Sequence, residues 1–146
     1  MMWSKRIAII AVFVGCFGLA DSGYLTIKHL QGAFIRCGDE CSAVLGSKYA
    51  EGIAGIPLAG FGAIGYAAVI IAASLAAANR PVGRRLLAVV TPVMALVSVW
   101  LLYLQAFVIH AFCKYCLASA AASFVLAGLA VIERLSAGAS ITRQKG

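Results

Sequence analysis

Four long apolar stretches, parted by short polar or charged breaks, dominate the hydrophobic pattern of the chain. They cover residues 7–30, 53–78, 86–109 and 113–132. Each approaches or exceeds the ~20 residues with which an α-helix crosses the hydrocarbon of a bilayer. None alternates apolar and polar positions as the strands of a membrane barrel do, and a barrel is the only other fold that satisfies its backbone inside lipid. The pattern predicts an all-α integral membrane protein, a four-transmembrane-helix bundle forming a single domain over 1–146. A long loop, 31–52, joins the first two spans. Pro81 and Gly83 are expected to break the chain between the second and third spans. The polar, basic segment 136–146 is expected to be a frayed tail.

Composition sharpens this picture. Of 146 residues 63% are hydrophobic and 12% are charged, and the mean hydropathy is +0.99. A soluble domain of this size is usually about half apolar, so the excess must be buried against lipid. Lys5, Arg6 and the small residues Gly18-Leu19-Ala20 also fit a cleaved secretory signal. Apolar residues continue beyond Asp21 at Tyr24, Leu25 and Ile27, which favours one uninterrupted helix.

Charge sets the expected orientation, because cytoplasmic loops retain Lys and Arg. With the N-terminus inside, the inner segments carry Lys5, Arg6, Arg80, Arg84, Arg85, Arg134, Arg143 and Lys145 against Glu133. The outer segments balance Lys28, Arg36, Lys48 and Lys114 against Asp21, Asp39, Glu40 and Glu51. The whole formal net charge of +7 therefore falls on one face. This asymmetry accounts for the pI of about 9.5 without a nucleic-acid partner. Both termini are expected in the cytoplasm and the loop 31–52 outside.

The candidate chemistry lies in the cysteines. Cys37, Cys41, Cys113 and Cys116 fall on the outer side as two close pairs, and Cys16 is mid-membrane, where a free thiol is ordinary packing. Cys113-Lys114-Tyr115-Cys116 opens the last span. Thiols three apart on a first helical turn share a face, and the helix N-terminus and Lys114 favour a thiolate. Half of a zinc site remains the alternative for a CxxC. In Cys37-Gly38-Asp39-Glu40-Cys41, Gly38 permits a turn that lets the thiols meet, and the two acids would raise a nearby thiol's pKa. A static staple of the loop is the other reading. Two thiol pairs on one membrane face form a relay from a water-soluble partner to a quinone in the lipid. A dithiol loses two electrons in becoming a disulfide, and a quinone accepts two.

The run Cys37-x-x-x-Cys41-Ser42-x-Val44-x-x-Ser47-x-Tyr49-Ala50, then Gly55-Ile56-Pro57, Phe61-Gly62-x-x-Gly65-Tyr66 and Phe112-Cys113-x-x-Cys116, resembles bacterial homologues of vitamin K epoxide reductase (the VKOR family). The resemblance covers about residues 21–132. In the unrelated DsbB enzymes the CxxC lies in the first outer loop, whereas here it opens the last helix. The resemblance implies a bacterial inner-membrane oxidoreductase that generates disulfides and reduces ubiquinone or menaquinone. It implies that Cys116 reacts with quinone, that Cys113 is its disulfide partner and exchanges with Cys41, and that Cys37 exchanges with a thioredoxin-fold, DsbA-like oxidant. It also places Ser47 near the active site. The family's quinone-binding Asn and Tyr are matched by Leu58 and Ala120, which supply no such hydrogen bonds, so quinone reduction is expected rather than epoxide reduction. Many bacterial relatives carry a fused thioredoxin domain. None is expected within these 146 residues, so the implied partner is expected to be a separate protein.

Other residues have two readings. His110, one turn before the CxxC, is a candidate proton donor or an interfacial residue. Trp100, Tyr103 and Phe107 share a face that lines a quinone pocket or meets lipid. Gly60, Gly62 and Gly65 allow close helix approach. Asp21 is an acid near the outer end of the first span, a position that is often functional in membranes. A soft-metal transporter of mercury or copper is the alternative function, but its path needs thiols in mid-membrane, and only Cys16 is there. A structural subunit with inert disulfides is the third. The orientation predicts that Lys48→Cys and Lys114→Cys are both labelled by an impermeant maleimide on intact spheroplasts. Arg84→Cys is expected to label only after the membrane is opened.

Overall fold

The computed structural model describes residues 2–32 and 38–144. Its elements are α1 (Met2–Leu30), α2 (Asp39–Leu45), α3 (Leu58–Ala77), α4 (Pro81–Tyr103), a π-helical segment Leu104–Ile109 that continues α4, and α5 (Lys114–Gln144). Four of the helices are long and apolar enough to span a membrane. The protein is an all-α, multi-pass membrane bundle. Going round it, α1 packs on α3, α3 on α4, α4 on α5 and α5 on α1.

The helix ends follow local chemistry. Pro57 caps α3 in an extended conformation, so α3 starts at Leu58 and not at 53. Proline lacks the N–H that an interior position needs, but it suits the start of a helix. Pro81 likewise occupies the first turn of α4. The break lies one step earlier, at Asn79, whose φ of 59° is left-handed. Gly83, expected as a breaker, sits inside α4, where a Cβ would collide with the α3 backbone at Ala72 and Ala76. The tail also differs from expectation: α5 continues through Ser136 to Gln144. No proline interrupts it, and the hydroxyls of Ser140 and Thr142 donate back to the carbonyls of Ser136 and Gly138. The loop 31–52 contains α2, a helix of less than two full turns.

The core inverts the usual size order. Its buried residues are mostly small: Ala8, Ala11, Ala72, Ala73, Ala76 and Ala122, with Val69, Leu87 and Leu126. Phe13, Phe17, Ile64, Ile71, Leu96 and Phe107 point outward. Lipid tails are as apolar as leucine, so large side chains gain nothing by turning inward, whereas small ones let helices approach closely. Tyr66 is the exception. It is 1% exposed, and its ring fills the space left by Gly18 on α1. Its hydroxyl lies 2.6 Å from the Ser119 carbonyl oxygen and 3.0 Å from the hydroxyls of Ser119 and Ser123 on α5. Three helices meet at this side chain. At the other end of the bundle Arg84 and Glu133 pair at 4.0 Å.

Gly83→Ala forces the α3–α4 crossing apart. Overpacking of this kind costs about 1–3 kcal/mol. Gly128, by contrast, has open space where a Cβ would stand. Thermal unfolding in detergent is expected to show a clear drop in midpoint for Gly83→Ala and none for Gly128→Ala.

Candidate active site: paired thiols beside an apolar cavity

The connection from α4 to α5 builds the site. The helix widens to π geometry over Leu104–Ile109, a distortion frequent at functional positions. His110 then ends it with a left-handed φ of 55°. The carbonyl of Gln105 accepts the Ala111 N–H at 3.1 Å. The Gln105 side-chain oxygen accepts the Cys113 N–H at 3.0 Å. One residue thus closes the turn twice and seats Cys113 immediately before the first residue of α5.

Cys113 and Cys116 are free thiols within hydrogen-bonding reach of each other. Cys113 is 0% exposed, and its pKa is lowered from 9.0 to about 7. The chief cause is the hydrogen bond from the Cys116 thiol. Burial opposes it, the N–H groups of Cys116 and Tyr115 at the start of α5 assist it, and the charge of Asp21 opposes it weakly. Tyr115, between the cysteines, packs at a tilt against Tyr24 of α1 with ring centres 5.5 Å apart. Asp21 is close enough to act on the pair, and its Oδ2 is buried without a hydrogen-bond partner.

Cys41 on α2 is also 0% exposed. It shares one apolar cluster with Cys113, Leu25, Val44, Leu45 and Ala111, and Cys116 packs against that cluster. The structure therefore brings Cys41, Cys113 and Cys116 together from two distant stretches of sequence. Asp39 and Glu40 are exposed in the first turn of α2, turned to solvent. Cys37 lies outside the described residues. Cys16 is exposed on the flank of α1.

Beside the thiols lies a cavity of about 510 Å³, within the ordinary range for a small-molecule site. Its wall is mostly apolar and comes from α1, α2, the loop, α3, α4 and α5. Cys116 lines it and Cys113 does not. Leu58 and Ala120 line it, as does Ser47, whose hydroxyl donates to the Val44 carbonyl at 2.7 Å. His110 is exposed and outside this wall, and so are Trp100, Tyr103 and Phe107, which form an outward-facing ring ladder. Sequence reasoning passed over His29 and Gln105, which both line the cavity. Gln105 could have been noticed as a lone carboxamide in an otherwise apolar span. Nothing in the sequence around His29 singles it out. Among the described residues no group of three His, Cys, Asp or Glu side chains is placed to hold a metal.

Three cysteines brought together beside an apolar cavity in a four-helix membrane bundle fit a membrane thiol oxidoreductase. The chain belongs to the vitamin K epoxide reductase family, whose model matches residues 9–131. Its members are quinone-linked thiol oxidoreductases. Among curated proteins none matches the chain.

Because Cys116 is the main cause of the lowered Cys113 pKa, the titration of the reduced protein tests the geometry. The Cys113 thiolate is expected above about pH 7 and to be lost as pH falls through that value. Thiolate absorbance at 240 nm, taken as the difference from Cys113→Ala, reads this directly. In Cys116→Ala the midpoint is expected to move up toward that of an ordinary thiol.

Proposed function

We propose that this protein generates disulfides outside the cytoplasm by passing electrons from a thioredoxin-fold, DsbA-like partner to a membrane quinone. The partner's dithiol reduces the Cys37–Cys41 disulfide by exchange at Cys37. The Cys41 thiolate then attacks the Cys113 sulfur, breaking the Cys113–Cys116 bond. Cys37 closes again on Cys41 and frees Cys113. The dithiol Cys113/Cys116 gives up two electrons and two protons to the quinone, which leaves as quinol while the Cys113–Cys116 disulfide reforms. One partner dithiol becomes one disulfide for each quinone reduced.

The division of surroundings between the two active-site sulfurs carries this reading. Cys113 shares a dry cluster with Cys41, and Cys116 lines the cavity. A thiol with lowered pKa is both a better leaving group and more often a thiolate, which suits Cys113 to be expelled when Cys37 closes on Cys41 and then to close on Cys116. The cavity wall offers Leu58 and Ala120 at the positions where epoxide-reducing relatives bind quinone through Asn and Tyr, which supports simple quinone reduction. The segregation of charge supports an extracytoplasmic site with both termini inside. A soft-metal carrier has less support, since Cys16 faces outward and is remote from the outer thiols in the sequence.

The test is turnover of purified protein with a reduced thioredoxin-fold partner and a short-chain ubiquinone or menaquinone. Cys116→Ala is expected to abolish quinone reduction. Cys113→Ala leaves Cys116 without its partner and is expected to accumulate a coloured thiolate–quinone complex, seen by visible absorbance. Absence of quinone-dependent turnover in the unaltered protein would overturn the reading.

A further inference from the structure

We propose that Gln105 binds a carbonyl oxygen of the quinone and so couples its placement to the cysteine pair. The proposal rests on the quinone-linked reading above and adds the group that orients the acceptor.

Four observations carry it. Gln105 is 3% exposed, yet it lines the cavity that Cys116 also lines. Its side-chain oxygen is committed to the Cys113 N–H at 3.0 Å. An N–H can only donate, so this bond fixes which end of the carboxamide is oxygen. The NH2 end consequently faces elsewhere, and it has no hydrogen-bond partner among the described residues. Nor is it sealed in the packing. Among those residues, Asp21 Oδ2 is the buried side-chain polar atom that is enclosed without a partner. The nitrogen therefore borders open space, and the open space beside this buried residue is the cavity.

A donor left without an acceptor in apolar surroundings is unfavourable, and in lipid no bulk water relieves it. A ligand carbonyl removes that cost. The remaining polar wall is less suited to the task. The hydroxyls of Ser119 and Ser123 are bound to Tyr66, and that of Ser47 donates to Val44. His29, Ser22 and Ser98 also reach the wall but make no bond to the cysteine segment. Among the lining side chains outside the cysteine segment, Gln105 is the one bonded directly to it. A quinone held by this NH2 lies against the turn that carries Cys113 and Cys116. The chemistry recognised is a flat ring bearing a carbonyl acceptor.

Equilibrium binding to the full-length, air-oxidised protein in detergent tests this, because the Cys113–Cys116 disulfide has no electrons to give and neither of its sulfurs titrates. The probes are menadione and 2-methylnaphthalene, which share the ring and methyl but differ in the carbonyls. Gln105→Met is expected to weaken menadione about three- to tenfold, the worth of one neutral hydrogen bond, and to leave 2-methylnaphthalene unchanged. Equal weakening of both, or of neither, overturns the proposal. Gln105→Glu serves if Gln105→Met does not fold. A protonated carboxyl donates and a carboxylate cannot, so menadione affinity is expected to fall with rising pH in Gln105→Glu more than in the unaltered protein. A pH profile parallel to that of the unaltered protein counts against the proposal. If the unaltered protein turns over quinone while Gln105→Met keeps its menadione affinity, only this inference fails. If the unaltered protein neither binds nor reduces quinone, the functional reading falls with it.

Discussion

The hydrogen bond from the Cys113 N–H to the Gln105 side chain sets the geometry on which the site depends. The chain must leave α4, turn and start α5 within a few residues, with Ala111 and Cys113 buried, where unpaired backbone groups are costly. The π-helical segment widens the helix there, His110 takes a left-handed conformation, and Gln105 satisfies two of the N–H groups that the turn exposes. With the turn fixed, Cys113 falls just before α5 and Cys116 in its first turn. Their sulfurs then share a proton, and the helix N–H groups stabilise the Cys113 thiolate.

The packing of the bundle is arranged around a space as much as around a core. Towards the arginine-bearing end the helices meet through alanines and Gly83, closely enough that a methyl group on Gly83 would strike the neighbouring backbone. Towards the cysteine end the same helices enclose a cavity. Tyr66 marks the transition, filling the gap at Gly18 and tying α3 to α5 through two serines. α2 and the loop after it line the cavity and place Cys41 in one dry cluster with Cys113.

Much of the fold was legible in the sequence. Long uninterrupted apolar stretches admit only helices in lipid, and the four spans lie where that rule places them. Errors fell at the ends and had local causes. Pro57 and Pro81 began helices because proline fits a first turn, Gly83 served helix contact and not a break, and α5 ran on because nothing after Ser136 stops it. The cysteines stood out as candidate chemistry from residue type and spacing, and the structure brings Cys41, Cys113 and Cys116 into one cluster. His110 was conspicuous because it stands near the CxxC in sequence, yet its backbone conformation turns it outward.

By itself the sequence determined the class of molecule: a membrane bundle of four helices, segregated in charge and bearing two thiol pairs. It did so because hydrophobicity, charge and cysteine spacing act locally along the chain. Only the tertiary structure decided which sulfur lines the cavity, that Gln105 and His29 share its wall, and that Cys41 joins Cys113. Those facts depend on how distant segments are rotated and brought together in the packed bundle, and rotation about a helix axis leaves no mark in an apolar run that is hydrophobic on every side.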